Sequence, residues 1–325
     1  MKAIRIHKTG GQEVLTFETL ADLMCQPDEV LVNIKSASVN YSDVLIRKGD
    51  YPYMPQFPAI LGNEAAGEIA QVGSEIKHLK VGQRVIVFGK ASYATQVAVK
   101  AHSVIPIPDA VGFDDAAALP IIYLTAYHML HTVRRIKAGE TVLVHAAAGG
   151  VGTALIQLAK LGDIHLIGLT SKDDKAAVIK EMGYDHVINY KTENVVARVN
   201  EITNDKGVDL IIDCIGGPRF DDNFKMLATL GHVIWYGIVA GQPTVDFRQA
   251  LGSKPHKCHS VSMFHLYGIL NDPALMMASF QTLIGYLLKG QIKPVIYARI
   301  PLADVAKAHA ILENGENIGK VILKP

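Results

Sequence analysis

Residues 142–152, VLVHAAAGGVG, end an apolar run at His145 and open a helical pattern at Val151 through a tight turn of alanines and glycines. A strand that turns sharply into a helix can hold an anion. The first helical turn has unpaired N–H groups and a positive dipole end. Gly149, Gly150 and Gly152 allow the backbone to approach a pyrophosphate with no Cβ in the way. Ala147 stands where the first glycine of a full G-x-G-x-x-G would be, so the turn alone is a weak signal. A second strand-like run at 165–169 follows the helix, as a βαβ unit requires, and strengthens it.

The end of that second strand bears on which dinucleotide would bind. An NAD site of this kind places a carboxylate there, on the ribose 2′-OH. Here Thr170 occupies the position, followed by Ser171, with Lys172 and Lys175 close behind. Hydroxyls and ammonium groups suit a 2′-phosphate, so the reading favours NADPH. Asp173 and Asp174 count against it, since either can cap the next helix and lower the local positive potential.

Strand and helix patterns continue to alternate. Residues 186–189, 208–215 and 231–236 read as strands, 194–203 and 220–230 as helices. Alternation of this kind predicts a parallel, doubly wound sheet with ligands outside the carboxyl ends of its strands. That topology places Tyr190, Cys214, Ile215, Gly237 and Ile238 near the cofactor. From Met1 to about Pro120 the texture is different, with short alternating runs at 2–6, 30–38, 66–72, 84–87 and 95–99. They predict a small antiparallel β domain. The tail, with strands at 296–300 and 320–323 around a helix at 302–313, is expected to return and complete it.

The 325 residues suit two domains, and 32 basic against 31 acidic residues leave no bias toward nucleic acid or a membrane surface. Cys25, Cys214 and Cys258 are far apart and in no ligand spacing, which fits a reducing, cytoplasmic setting. The start reads as a strand and not as a signal peptide. The charge-free run 116–133 contains Pro120 and reads as a domain-joining core helix rather than a membrane span.

Together these features resemble the zinc-free quinone oxidoreductases of the medium-chain dehydrogenase/reductase superfamily, related to zeta-crystallin. The landmarks are Asn40-Tyr-Ser-Asp43 with Arg47, Gly49 and Tyr51, then Pro58-Ala-Ile-Leu-Gly62-Asn63-Glu64-Ala-Ala-Gly67. Val81-Gly82, Ser92-Tyr93-Ala94, Leu124-Thr125-Ala126-Tyr127 and the glycine turn follow. The resemblance implies a Rossmann-type domain over 123–265 and a GroES-like domain over 1–122 and 266–325. It also implies a homodimer joined edge to edge through the apolar run 259–266.

Zinc-dependent members of that superfamily have a cysteine at the position of Asn40 and a histidine at the position of Asn63, and carry a four-cysteine loop that is missing between Phe88 and Ser92. No metal is therefore expected. His128 and His131, at i and i+3, read as packing or cofactor neighbours. Without a metal, hydride can pass to an acceptor that is already polarised, such as a quinone or an α,β-unsaturated carbonyl. The resemblance implies that Asn40 and Tyr51 line the nicotinamide end, with the Tyr51 hydroxyl donating to the acceptor. It makes Asp43 and Arg47 an ion pair bracing their loop. Leu45 replaces a tyrosine of bacterial relatives and makes the acceptor pocket more apolar. Cofactor contacts are implied at Asn40, Asp43, Thr125, His128, Gly149, Gly150, Val151, Gly152, Ser171, Lys175, Tyr190, Cys214, Gly237, Ile238, Val239, Phe264 and Lys320. An expected C-terminal arginine is unmatched, since that segment reads Glu313-Asn-Gly-Glu-Asn317, and Lys320 is the nearest cation. An NADPH-dependent quinone reductase is the leading reading. An enoyl or 2-alkenal reductase, and a non-catalytic nucleotide- or RNA-binding protein, are the alternatives.

Overall fold

A computed structural model describes residues 1–89 and 91–325, so Lys90 in the shortened loop lies outside the described residues. The chain divides into two units, Met1–Ile121 with Pro294–Pro325, and Ile122–Lys293.

In the second unit six strands make one parallel sheet, in the order His186–Asn189, His165–Thr170, Thr141–Val144, Val208–Asp213, Leu227–Trp235, Ser260–Met263. Counted along the chain this is the doubly wound order 3-2-1-4-5-6. The central strands are apolar along their length because helices cover both faces of such a sheet. Leu143, Ile167, Ile211 and Val233 accordingly sit in one buried cluster. Strand order reverses between Thr141–Val144 and Val208–Asp213, and a crevice opens at the carboxyl ends of such a pair.

Three expectations change here. The helix expected over 220–230 is a single turn, Asp222–Lys225, and the next strand already starts at Leu227. Leu227 pairs with Val208, the chain bulges out through Leu230 at φ 63°, and pairing resumes at His232 opposite Leu210. The bulge gave those residues a helix-like spacing of apolar side chains. The run 116–133 is also three pieces, Phe113–Ala118, Pro120–His128 and a π-helical Met129–Arg134. Pro120 opens the middle piece, where its missing N–H costs nothing. Finally, the boundary expected at 265/266 lies at 293/294. Helix Pro273–Leu288 buries Phe280 and Leu283. Gln157 Nε2 donates to Lys293 O at 2.9 Å and Gln157 Oε1 accepts from Lys293 N at 2.6 Å, tying the end of this segment to helix Gly150–Leu161.

The first unit holds a seven-stranded sheet and a three-stranded one. The long strand Glu29–Val39 pairs antiparallel with Glu64–Val72, Gln96–Lys100 and the C-terminal Lys320–Lys324. The tail therefore does return to the N-terminal β unit, through its last strand. This pairing brings residues 256 positions apart, Glu64 and Lys320, to one place.

Candidate active site

In the first unit the strand Glu29–Val39 ends at Asn40, which caps helix Tyr41–Lys48. The Asn40 N–H donates to Asp43 Oδ2 at 2.9 Å, as an N-terminal carboxylate should. Asp43 is fully buried and also accepts from Tyr93 OH at 2.8 Å and Asn63 Nδ2 at 2.7 Å. Burial pushes its carboxyl up to about 6, against the pull of these donors. Behind Asn40 lies Glu64, with no exposed surface. It accepts from Asn40 Nδ2 at 2.8 Å, Lys320 Nζ at 2.9 Å, Ile121 N at 2.7 Å and the Ser38 hydroxyl. Lys320 Nζ also donates to Asn40 Oδ1 at 2.8 Å and Val39 O at 3.0 Å.

This network corrects one site expectation. Asp43 and Lys320 are enclosed in the first unit and brace Asn40. Arg47 pairs not with Asp43 but with Glu313, through Nη1 at 3.1 Å and Nη2 at 2.8 Å. Glu64 and Ser38 carry much of the network, yet only a partner far along the chain gives them away. Tyr51 is half-buried on the core of the first unit, its ring edge-on to Tyr53 at 6.3 Å.

The same geometry tests the site for zinc. Asn40 and Asn63 offer amides, and the two carboxylates beside them are committed, Glu64 to the Lys320 ammonium and Asp43 to Asn40 N, Asn63 and Tyr93. Catalytic zinc takes three ligands of His, Cys or carboxylate type. This set does not fit it, and among the described residues no group of three or more such side chains is placed to hold a metal.

In the second unit Gly149 caps helix Gly150–Leu161. A Cβ on Gly152 would lie 2.1 Å from Ala147 O, so only glycine permits so tight a turn. Tyr184 OH, buried, donates to Gly152 O at 3.3 Å and holds the turn from below. Val151 is half-buried beside it. At the end of the next strand Thr170 is 5% exposed and Lys175 is 7% exposed, with Ser171 between them in sequence and half-buried. The two aspartates are committed locally. Asp173 Oδ1 accepts from Asn189 Nδ2 at 2.6 Å, and Asp174 Oδ1 accepts from Lys175 N at 2.7 Å. Tyr190 is exposed at the next strand end.

A further buried group appears where the strand order reverses. Asp213 Oδ1 accepts from Ile215 N at 2.6 Å and Gly216 N at 3.1 Å, and Asp213 Oδ2 accepts from Asn223 Nδ2 at 2.7 Å. His145 Nε2 lies 3.0 Å from Asn223 Oδ1, linking this carboxylate to the strand that enters the glycine turn. None of the three was singled out from sequence, although Asp213 ending the apolar run VDLIID was a signal. Beyond it, burial pushes the Cys214 thiol up to about 12, so it is no nucleophile at neutral pH. Gly237 packs on Cys214, Ile238 is half-buried, Val239 is exposed and Phe264 is buried. Thr125 is buried on helix Pro120–His128. His128 is enclosed, with Nδ1 2.8 Å from Thr132 Oγ1, and burial with the neighbouring His131 lowers its pKa to about 4.

A doubly wound unit with a glycine turn, joined in one chain to a GroES-like antiparallel unit, is the architecture of the medium-chain dehydrogenases/reductases. The family models "Alcohol dehydrogenase GroES-like domain" and "Zinc-binding dehydrogenase" match residues 26–109 and 150–272. A quinone oxidoreductase of Pseudomonas aeruginosa is 32% identical over 326 residues, covering 100% of this chain and 99% of that protein. The zebrafish synaptic vesicle membrane protein VAT-1 homolog is 33% identical over 311 residues, and there the match spans 64% of the relative. The Escherichia coli quinone oxidoreductase solved with NADPH superposes with a TM-score of 0.94 at 33% identity, covering all of both chains. The chain belongs to the quinone oxidoreductase family of that superfamily.

Proposed function

We propose that the protein is an NADPH-dependent quinone reductase whose hydride transfer needs no metal ion. The observation that carries this reading is the set of groups around Asn40: amides, and a carboxylate already neutralised by Lys320. Such groups position an acceptor and donate hydrogen bonds. They do not take the proton of an unactivated alcohol. A quinone needs no such help, because the charge it gains spreads onto its oxygens. A bound reduced nicotinamide supplies the hydride.

The chain's own part is to hold and orient. The turn Gly149–Gly152 receives the pyrophosphate at a helix N-terminus, and Ser171 and Lys175 receive a 2′-phosphate that a carboxylate at Thr170 would repel. Asn40 and the Tyr51 hydroxyl bond oxygens at the reacting end. The Escherichia coli relative solved with NADPH supports this choice of cofactor.

Two further points belong to this proposal. Strand Ser260–Met263 is paired on one side only, and Met263 is exposed, so two copies joining along this edge would cover it. The three cysteines are free, as in a cytoplasmic protein, and no helix among the described residues is long and apolar enough to cross a membrane.

The test is NADPH and NADH oxidation with 1,4-benzoquinone and with a 2-alkenal. Quinone turnover with NADPH is expected, at least tenfold tighter in cofactor than NADH, a difference of about 1.4 kcal/mol. Lys175→Ala should remove most of that preference. Turnover confined to the alkenal would reassign the acceptor, and no turnover with either would leave a nucleotide-binding protein without this chemistry.

A further inference from the structure

Asn40 is held between two buried charges of opposite sign, and this decides which end of its amide is which. On one side lies the Lys320 ammonium, which can only donate, and on the other the Glu64 carboxylate, which can only accept. Nζ is 2.8 Å from Oδ1, and Nδ2 is 2.8 Å from Glu64 Oε1. Turning the amide over would set NH₂ against NH₃⁺ and a carbonyl against a carboxylate, both where water is excluded. Lys320 is 3% exposed and Glu64 has no exposed surface, so solvent does not relieve the conflict. The pair also neutralises itself, with Nζ and Oε1 at 2.9 Å.

We propose that Lys320 and Glu64 are positioning residues that lock Asn40 as a hydrogen-bond donor toward the bound dinucleotide or its acceptor. The inference rests on the function proposed above. With one Nδ2 hydrogen on Glu64, the other is the donor that remains. Oδ1 already faces two donors, the Lys320 ammonium and, in the capping box, the Asp43 N–H, one for each lone pair. The group Asn40 takes is therefore an acceptor oxygen, a carbonyl or hydroxyl, and not an N–H.

The test reverses the polarity without changing size or net charge. Asn40→Asp places a second carboxylate beside Glu64, and Glu64→Gln places an amide beside Lys320. Each alone should lower the melting temperature. Combined, they exchange acceptor and donor. The new carboxylate accepts from both Lys320 and the new amide, and the Ser38 hydroxyl, able to do either, reverses its bond, while Nζ gives up its 2.9 Å contact with position 64 and keeps the carboxylate and Val39 O, so recovery is partial. The double variant should recover at least half of the stability lost by Asn40→Asp. It should still show a tenfold or greater loss of NADPH affinity or quinone turnover, because an acceptor now faces the ligand. Recovery of both to within twofold of the parent would overturn the donor assignment. A double variant no more stable than the weaker single one would overturn the lock itself. The melting measurements need neither cofactor nor quinone, so a parent enzyme inactive on quinones would reject the proposed function and leave the lock to be judged on stability.

Discussion

Glu313 grips Arg47 with both carboxylate oxygens, at 2.8 and 3.1 Å, across 266 residues of sequence. The guanidinium is 1% exposed, and Lys48 Nζ at 2.7 Å and Gln12 Nε2 at 3.0 Å complete the carboxylate's shell. This ties helix Tyr41–Lys48, which Asn40 caps, to helix Val305–Glu313. Burial raises the Glu313 carboxyl, but the donors from Arg47, Lys48 and Gln12 overcome it and hold it at about 2.

Removing one partner of such a pair leaves the other charge buried and unpaired, which costs about 3 kcal/mol or more. Glu313→Ala is therefore expected to lower unfolding free energy by about that amount in urea melts at pH 7. A loss under about 0.5 kcal/mol would mean that water reaches Arg47 when Glu313 is gone.

His309 gives the pair a pH-sensitive neighbour. It is fully buried, edge-on to the Tyr93 ring at 6.0 Å, and neither ring nitrogen has a hydrogen-bond partner among the described residues. Burial first, then the Arg47 charge, lowers its pKa to about 3. The unfolded chain therefore takes up this proton from about pH 6.5 downward while the folded chain does not, so stability falls as pH falls. At pH 5 the loss from this group is about 2 kcal/mol. Asp43, raised to about 6, is protonated first in the folded state and opposes the trend between about pH 6 and 4. The difference between the parent and His309→Leu isolates the histidine. The variant should lose less stability between pH 7 and 5 by about that 2 kcal/mol. Parallel stability curves would show that His309 is protonated in place.

The parts legible in the sequence were those fixed by local pattern. Runs such as VDLIID read as buried parallel strands because both faces are covered, and the glycine turn at 149–152 announced itself by composition. The parallel, doubly wound sheet followed from alternation. What could not be read was set by partners far along the chain. Arg47 was assigned to Asp43, four residues away, because nothing local points to Glu313. Nothing local to Lys320 points to its carboxylate either, which is 256 residues distant. The segment at 220–230 failed differently, since a bulge at Leu230 imitates helical spacing.

Gly152→Ala tests the turn itself. The added Cβ would fall 2.1 Å from Ala147 O, a backbone atom that cannot swing aside. The strand-to-helix joint must open, and with it the N–H groups proposed to receive the pyrophosphate. NADPH affinity is expected to fall more than tenfold, about 1.4 kcal/mol, read by fluorescence titration. Circular dichroism should keep the parent's helix signal. Unchanged affinity would place the pyrophosphate elsewhere.

Tyr51→Phe separates packing from hydrogen bonding at a residue we propose for the reacting end. The ring lies half-buried against the first unit's core and edge-on to Tyr53, contacts that phenylalanine keeps. Only the hydroxyl is lost. If it donates to the acceptor oxygen, its bond strengthens as negative charge builds there, so the change belongs to turnover rather than to cofactor binding. Loss of one such donor lowers turnover by about 10- to 1,000-fold, and the low end applies where water can stand in. We expect kcat on 1,4-benzoquinone to fall about tenfold with the NADPH dissociation constant unchanged. Asn40→Ala should instead weaken both, and also lower the melting temperature, because it strips one bond from each of Lys320 and Glu64. Normal turnover in Tyr51→Phe would leave placement of the acceptor as the main source of rate, with Asn40 the remaining donor.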